Sequence, residues 1–128
     1  MAKILVVDDD KLTVRMIQVL LENNCHEVTT ARDGQEGLEK AKTENLDLII
    51  LDVMMPEING IRVCRTLKFD YRYKNIPIII LSIKGSDEDL KAGKDAGADA
   101  YIVKPYDAAN LLATIHDLLV KTRQKENR

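Results

Sequence analysis

The sequence predicts a three-layer α/β domain of (βα)5 architecture. Five short apolar runs alternate with longer segments whose apolar residues recur at helical spacing. Three of the runs are almost unbroken Val, Ile and Leu, as strands are when helices cover both faces of a parallel sheet. At 128 residues the chain is one domain long and too short for two. A chain of that size buries roughly two thirds of its unfolded surface, so it folds without a disulfide or metal staple.

The first strand is Lys3–Val7, followed by a helix whose apolar stripe is Val14, Ile17, Leu20 and Leu21. The second run, Glu27–Ala31, is more polar and alternates, which suits a sheet edge. Asp33-Gly34 is a turn signal ahead of a helix near 35–43. The third strand is Leu48–Leu51, and Gly60 opens a helix near 60–69. Pro77 marks the start of the fourth strand, Ile78–Leu81. Ser86 with Asp89 three residues on forms a capping box for a helix near 86–96, and Gly97 ends it. The fifth strand is Ala100–Val103; Asp107 then caps a last helix with the stripe Leu111, Leu112, Ile115, Leu118 and Leu119. Crossovers between parallel strands are right-handed, because strand twist permits little else. Residues 1–120 form the domain, and the basic tail 121–128 reads as a helix end favoured by the helix dipole or as the start of a linker.

Composition narrows the function. The chain is 45% hydrophobic and 31% charged with few Gly and Pro, which excludes collagen-like, low-complexity and wholly disordered chains. Its net charge of −2 gives no electrostatic footprint for direct nucleic-acid binding. The apolar runs are strand-sized and cannot span a bilayer, and the first residues carry no secretory signal, so a cytoplasmic location is expected. Cys25 and Cys64 have no metal-ligand spacing and are expected as buried free thiols.

In an open parallel sheet ligands bind at the carboxyl ends of the strands. Asp8, Asp9 and Asp10 follow the first strand, Asp52 the third, Ser82 the fourth and Lys104-Pro105 the fifth. A lone Asp in such a place is usually a helix cap or solvated, and Asp10 is read that way. Asp8, Asp9 and Asp52 together repel one another, and a hard divalent cation removes the conflict. Mg2+ suits such a site, taking one or two carboxylates with water and phosphate oxygens. Lys104 alone would be a snorkelling surface lysine, Ser82 a hydroxyl bonded to nearby backbone, and Tyr101 core packing. Their joint placement outweighs each of these readings.

Four stretches, Ile4–Asp10, Leu51–Gly60, Ile80–Ser82 and Gly97–Pro105, closely resemble the receiver domain of two-component response regulators, of the chemotaxis-regulator type. The resemblance runs from about Lys3 to Leu119. It implies a flavodoxin-like fold with strand order 2-1-3-4-5. It implies a phosphoacceptor rather than an enzyme: Asp52 takes a phosphoryl group from the phosphohistidine of a histidine kinase or phosphotransfer protein. Asp9, Asp52 and the Met54 backbone carbonyl would hold Mg2+, with Asp8 assisting through water. Lys104, Ser82 and the Ile83 backbone would bind the phosphoryl oxygens, and the Lys104–Pro105 peptide would be cis. Ser82 and Tyr101 would act as the switch, remodelling the surface of the fourth helix, fifth strand and fifth helix for an output domain, a partner protein or a phosphorylation-dependent homodimer. Phosphoryl transfer asks mainly for positioning and charge neutralisation, which this residue set supplies.

Ile83 departs from the pattern, since a small residue such as Ala usually follows the strand-end hydroxyl. Its branched side chain is expected to crowd Asp52 and slow phosphoryl exchange, while Met54 shields the anhydride from water. Three other readings compete. A phosphatase resembling the haloacid dehalogenase superfamily would use Asp8 as nucleophile, but Leu12 stands where Thr or Val is expected, no acidic pair follows Lys104, and Asp52 is left unexplained. A flavin carrier would place a hydroxyl-rich phosphate loop where three acids stand. A phosphorylation-independent interaction module has no need of Asp8, Asp9, Asp52, Ser82 and Lys104 together.

Overall fold

The fold is seen in a computed structural model, which describes residues 2–126. Five strands, β1 (Lys3–Val7), β2 (Glu27–Ala31), β3 (Leu48–Leu51), β4 (Ile78–Ser82) and β5 (Ala100–Val103), alternate with five helices. The helices are α1 (Lys11–Glu22), α2 (Gly34–Thr43), α3 (Gly60–Lys68), α4 (Asp87–Asp95) and α5 (Ala108–Glu126). All pairings are parallel and the sheet order is β2-β1-β3-β4-β5. This is the order that the resemblance implies, and Lys121–Glu126 of the tail continue α5. Asn127 and Arg128 lie outside the described residues.

Period-two side-chain alternation divides the core into two layers. Leu5 and Val7 of β1 with Ile49 and Leu51 of β3 pack under α2 and α3, on Ala41, Val63, Cys64 and Leu67. Ile4, Val6, Leu48 and Ile50 face the other way, onto Ile17 and Leu21 of α1 and Leu111 and Ile115 of α5. A strand buried on both faces has no polar side to show, which is why these runs read as continuous aliphatics. Outer strand β2 is only half-buried over most of its length, as its polar alternation predicts.

The helix ends follow the sequence signals. Asp33 accepts from the Glu36 amide and Asn59 from the Arg62 amide. Ser86 and Asp89 cap reciprocally, and Asp107 accepts from the Ala109 amide at 2.8 Å. Gly97 ends α4 at φ +93°. One expectation is corrected. Cys64 is buried, but Cys25 is exposed. Its amide bonds the Glu22 carbonyl and the His26 amide bonds the Leu21 carbonyl, a Schellman closure of α1. That closure needs a left-handed residue, and Cys25 supplies it at φ +69° on the surface.

Candidate functional site

Parallel register brings the carboxyl ends of β1, β3, β4 and β5 to one edge, and backbone hydrogen bonds fix the residues that follow. The Asp52 amide donates to the Val7 carbonyl at 2.9 Å, and the Lys104 amide to the Ser82 carbonyl at 2.8 Å. Asp8 extends β1 by donating to the Ala31 carbonyl at 3.1 Å. Residues distant in sequence are thus tied at the backbone before any side chain contributes.

Asp8, Asp9 and Asp52 each offer an oxygen within 4.8 Å of the others. Asp8 and Asp52 are buried and Asp9 is exposed. Both Asp8 oxygens are engaged: one accepts from the Asp10 amide at 2.9 Å, the other from Lys104 Nζ at 3.0 Å. Lys104 Nζ is 3.9 Å from Asp52 Oδ2. Burial pushes the Asp52 carboxyl above the ordinary carboxylate range, and the Asp8 charge adds to this. Lys104, the Met54 amide and the Ser82 hydroxyl oppose the rise. The donor set fits a hard divalent cation, since clustered carboxylate oxygens around a shortage of positive charge are what Mg2+ relieves.

Ser82 is fully buried at the end of β4, and its Oγ accepts from the Lys84 amide at 3.1 Å. Tyr101 lies over α4 at Gly93, where an added Cβ would come within 2.6 Å of the ring. Its hydroxyl donates to the Lys84 carbonyl. Burial, and then Asp89, raise the Tyr101 phenol above its ordinary value. One loop, β4–α4, therefore receives both hydroxyls through residue 84. The Lys104–Pro105 peptide is cis. Ile83 and Met54 are exposed at the rim. Asp10 holds the N-cap position of α1 without bonding a backbone amide, and instead accepts from the Thr13 hydroxyl.

Two glycines and a carbonyl add to the sequence-derived set. Gly60 lets α3 start directly against the acidic edge: a Cβ there would lie 1.9 Å from the Asp52 carbonyl oxygen. Gly93 makes room for Tyr101. The signal for Gly93 was its place inside a helix, where glycine costs about 1 kcal/mol and so has a packing reason. The role of the Lys84 carbonyl has no sequence signal, because every residue carries one. A cleft of about 760 Å³ opens beside Asp8 and Asp9 toward Arg15, Arg32 and Lys40.

Comparison with known proteins gives the family and the fold. Residues 4–116 match the response regulator receiver domain family. The chain is 43% identical over 126 residues to the response regulator ArlR of Staphylococcus aureus strain Mu50, covering 98% of this chain and 56% of ArlR. It thus spans a little over half the length of that relative. A CheY-like receiver domain from Methanospirillum hungatei superposes with TM-score 0.91 at 29% identity, covering 98% of each chain. Vibrio cholerae chemotaxis protein CheY4 is 37% identical with TM-score 0.86, covering 92% of this chain and 98% of that one.

Proposed function

Because the chain belongs to the response regulator receiver domain family of two-component systems, we propose that Asp52 accepts a phosphoryl group from a phosphohistidine on a kinase or phosphotransfer partner. The observation that carries this reading is the setting of Asp52: buried, beside two further carboxylates, with one ammonium 3.9 Å away. Asp8 is a poor nucleophile by comparison, since both its oxygens are occupied. That favours the receiver reading over the phosphatase one.

An Asp52 oxygen attacks phosphorus, the P–N bond to the donor imidazole breaks, and the imidazole leaves with a proton from solvent. Asp9, Asp52 and the Met54 carbonyl would hold Mg2+, with Asp8 through water; the ion supplies charge neutralisation for the phosphoryl oxygens. Lys104 pairs with a phosphoryl oxygen as a point charge. Ser82 Oγ and the Ile83 backbone bond the others. The product is a mixed anhydride, so the chain is a phosphoacceptor that assists its own phosphorylation and dephosphorylation, not a conventional enzyme. Ser82 leaving the Lys84 amide for the phosphoryl group loosens the loop that Tyr101 also holds. That couples chemistry at Asp52 to the α4-β5-α5 surface, as a population shift toward the form that binds the phosphoryl group better. The output domain or protein is reached through that surface, by homodimerisation or by direct docking. No helix among the described residues is long and apolar enough to cross a membrane, and we place the reaction in the cytoplasm.

Incubation with acetyl phosphate and Mg2+, read by intact mass, tests the proposal without a kinase. One phosphoryl adduct is expected on the parent and none on Asp52→Asn. An adduct that persists in the variant, or none in the parent, overturns it.

A further inference from the structure

The chain has few aromatics, four Tyr and one Phe with no Trp, and three of them fall within residues 69–73. Two of these are the most exposed large apolar side chains of the described residues, Phe69 at 72% and Tyr71 at 85%. The third, Tyr73, packs against the core and anchors the segment. Residues 70–76 are tied by backbone bonds, among them the Tyr73 and Lys74 amides to the Asp70 carbonyl at 3.0 and 2.9 Å. Phe69, whose amide donates to the Arg65 carbonyl at 3.1 Å, thus stands on the helix end, and Tyr71 on an ordered turn. Lys74 stacks over Tyr71 at 5.2 Å.

The charge around them is one-sided. Residues 62–74 hold Arg62, Arg65, Lys68, Arg72 and Lys74 against a single acid, Asp70, in a chain of net charge −2. Asp70 is paired with Arg72, and Lys68 with Asp99. Among the described residues no acid lies within ion-pair distance of Arg62, Arg65 or Lys74. Arg62, Arg65 and Thr66 of α3, with Phe69 just past its end, line a shallow cavity of about 620 Å³. Exposed aromatics beside unpaired arginines are the composition of interface anchors, not of solvated surface.

We infer that the outer face of α3 and the turn after it form a docking surface for an acidic protein segment carrying an apolar side chain. The apolar residue would sit against Phe69 and Tyr71, while its carboxylates pair with Arg62, Arg65 and Lys74. A short acidic segment carrying an apolar residue fits better than a polyanion, because the patch sets two exposed rings beside its cations on a chain of net charge −2. The surface is independent of phosphoryl transfer at Asp52, and its failure would leave the proposed function untouched.

A random twelve-residue peptide library displayed on phage provides the probe, selected on the whole chain. Selected peptides are expected to combine Asp or Glu with an aromatic or aliphatic residue. Synthetic copies should bind Arg65→Glu and Phe69→Ser at least tenfold more weakly than the parent, with 15N-amide shifts centred on 59–75. Asp52 phosphorylation by acetyl phosphate should be unchanged in both variants, which shows that they fold. No enrichment, enrichment of non-acidic peptides, or equal binding to the variants would overturn the inference. So would tighter binding to oligo(dT) or to phosphatidylglycerol vesicles than to the peptides.

Discussion

Lys104 Nζ sits 3.0 Å from Asp8 and 3.9 Å from Asp52, so its closer partner is not the residue we propose as acceptor. Asp8 is 4% exposed, and Lys104 is 17% exposed. The ammonium thus neutralises the more deeply buried acid and stays within reach of the second. Removing one partner of a buried pair costs more than the pair itself contributes, because the remaining charge is stranded.

Lys104→Met is expected to lose about 2–3 kcal/mol of stability without metal, near the lower edge for breaking a buried pair. Urea unfolding of Lys104→Met, Asp8→Asn and the double variant measures the coupling, expected at about 1–3 kcal/mol. Additive single effects would show that the contact is energetically idle.

The raised Asp52 carboxyl carries a sign for stability. A carboxyl that ionises less readily in the folded chain costs stability once pH rises above its ordinary range, near 3.8. The cost is complete above the raised folded-state value. Asp52→Asn should therefore melt above the parent at about pH 7 without metal, and the gap should close as pH falls through that window. Adding MgCl2 should raise the parent more than the variant, by mass action. Thermal scans across the acid range check both; a gap independent of pH would contradict the burial argument.

Ile83 is 65% exposed, at the rim beside the buried Ser82. Ile83→Ala is expected to speed both arrival and loss of the phosphoryl group severalfold. The phospho-Asp52 lifetime in the two proteins decides it. An equal or shorter lifetime in the parent removes the crowding argument.

Gly60 has no room for a side chain, because its Cβ would meet the Asp52 carbonyl oxygen at 1.9 Å and the Asp52 carbonyl carbon at 2.7 Å. Both obstacles are backbone, which cannot rotate away. Gly60→Ala is expected to cost about 3 kcal/mol or more, in the range of severe single-residue effects. Denaturant unfolding measures the cost, and a parental midpoint would mean that the β3–α3 loop yields.

Cys25 closes α1 in the left-handed region, at φ +69°. That conformation costs an ordinary residue roughly 1–2 kcal/mol, while glycine gives back part of the gain through unfolded-chain entropy. Cys25→Gly should therefore stabilise the protein by about 0.5–1 kcal/mol. Chemical denaturation under reducing conditions checks this, and a loss would show that the thiol packs usefully.

The amino-acid order alone determined the sequence of elements. Aliphatic runs such as Ile78–Leu81 have no polar face to expose, and stripes such as Leu111–Leu119 have only one apolar face to bury. It also determined which residues end up at the carboxyl edge, since chain order and a parallel sheet suffice to put Asp52, Ser82 and Lys104 there. Strand order did not follow from those patterns; it came from motif likeness and is visible in the pairing of β1 with both β2 and β3. Tertiary structure decided matters of distance. Which acid Lys104 prefers, how closely Gly60 approaches Asp52 and which carbonyl holds Tyr101 depend on atoms far apart in the chain. Local preference carries no information about such contacts, because they exist only once the strands are in register. Cys25 shows the converse: the hydrogen bonds that close α1 put a left-handed turn at the surface on a residue whose own chemistry pointed to the interior.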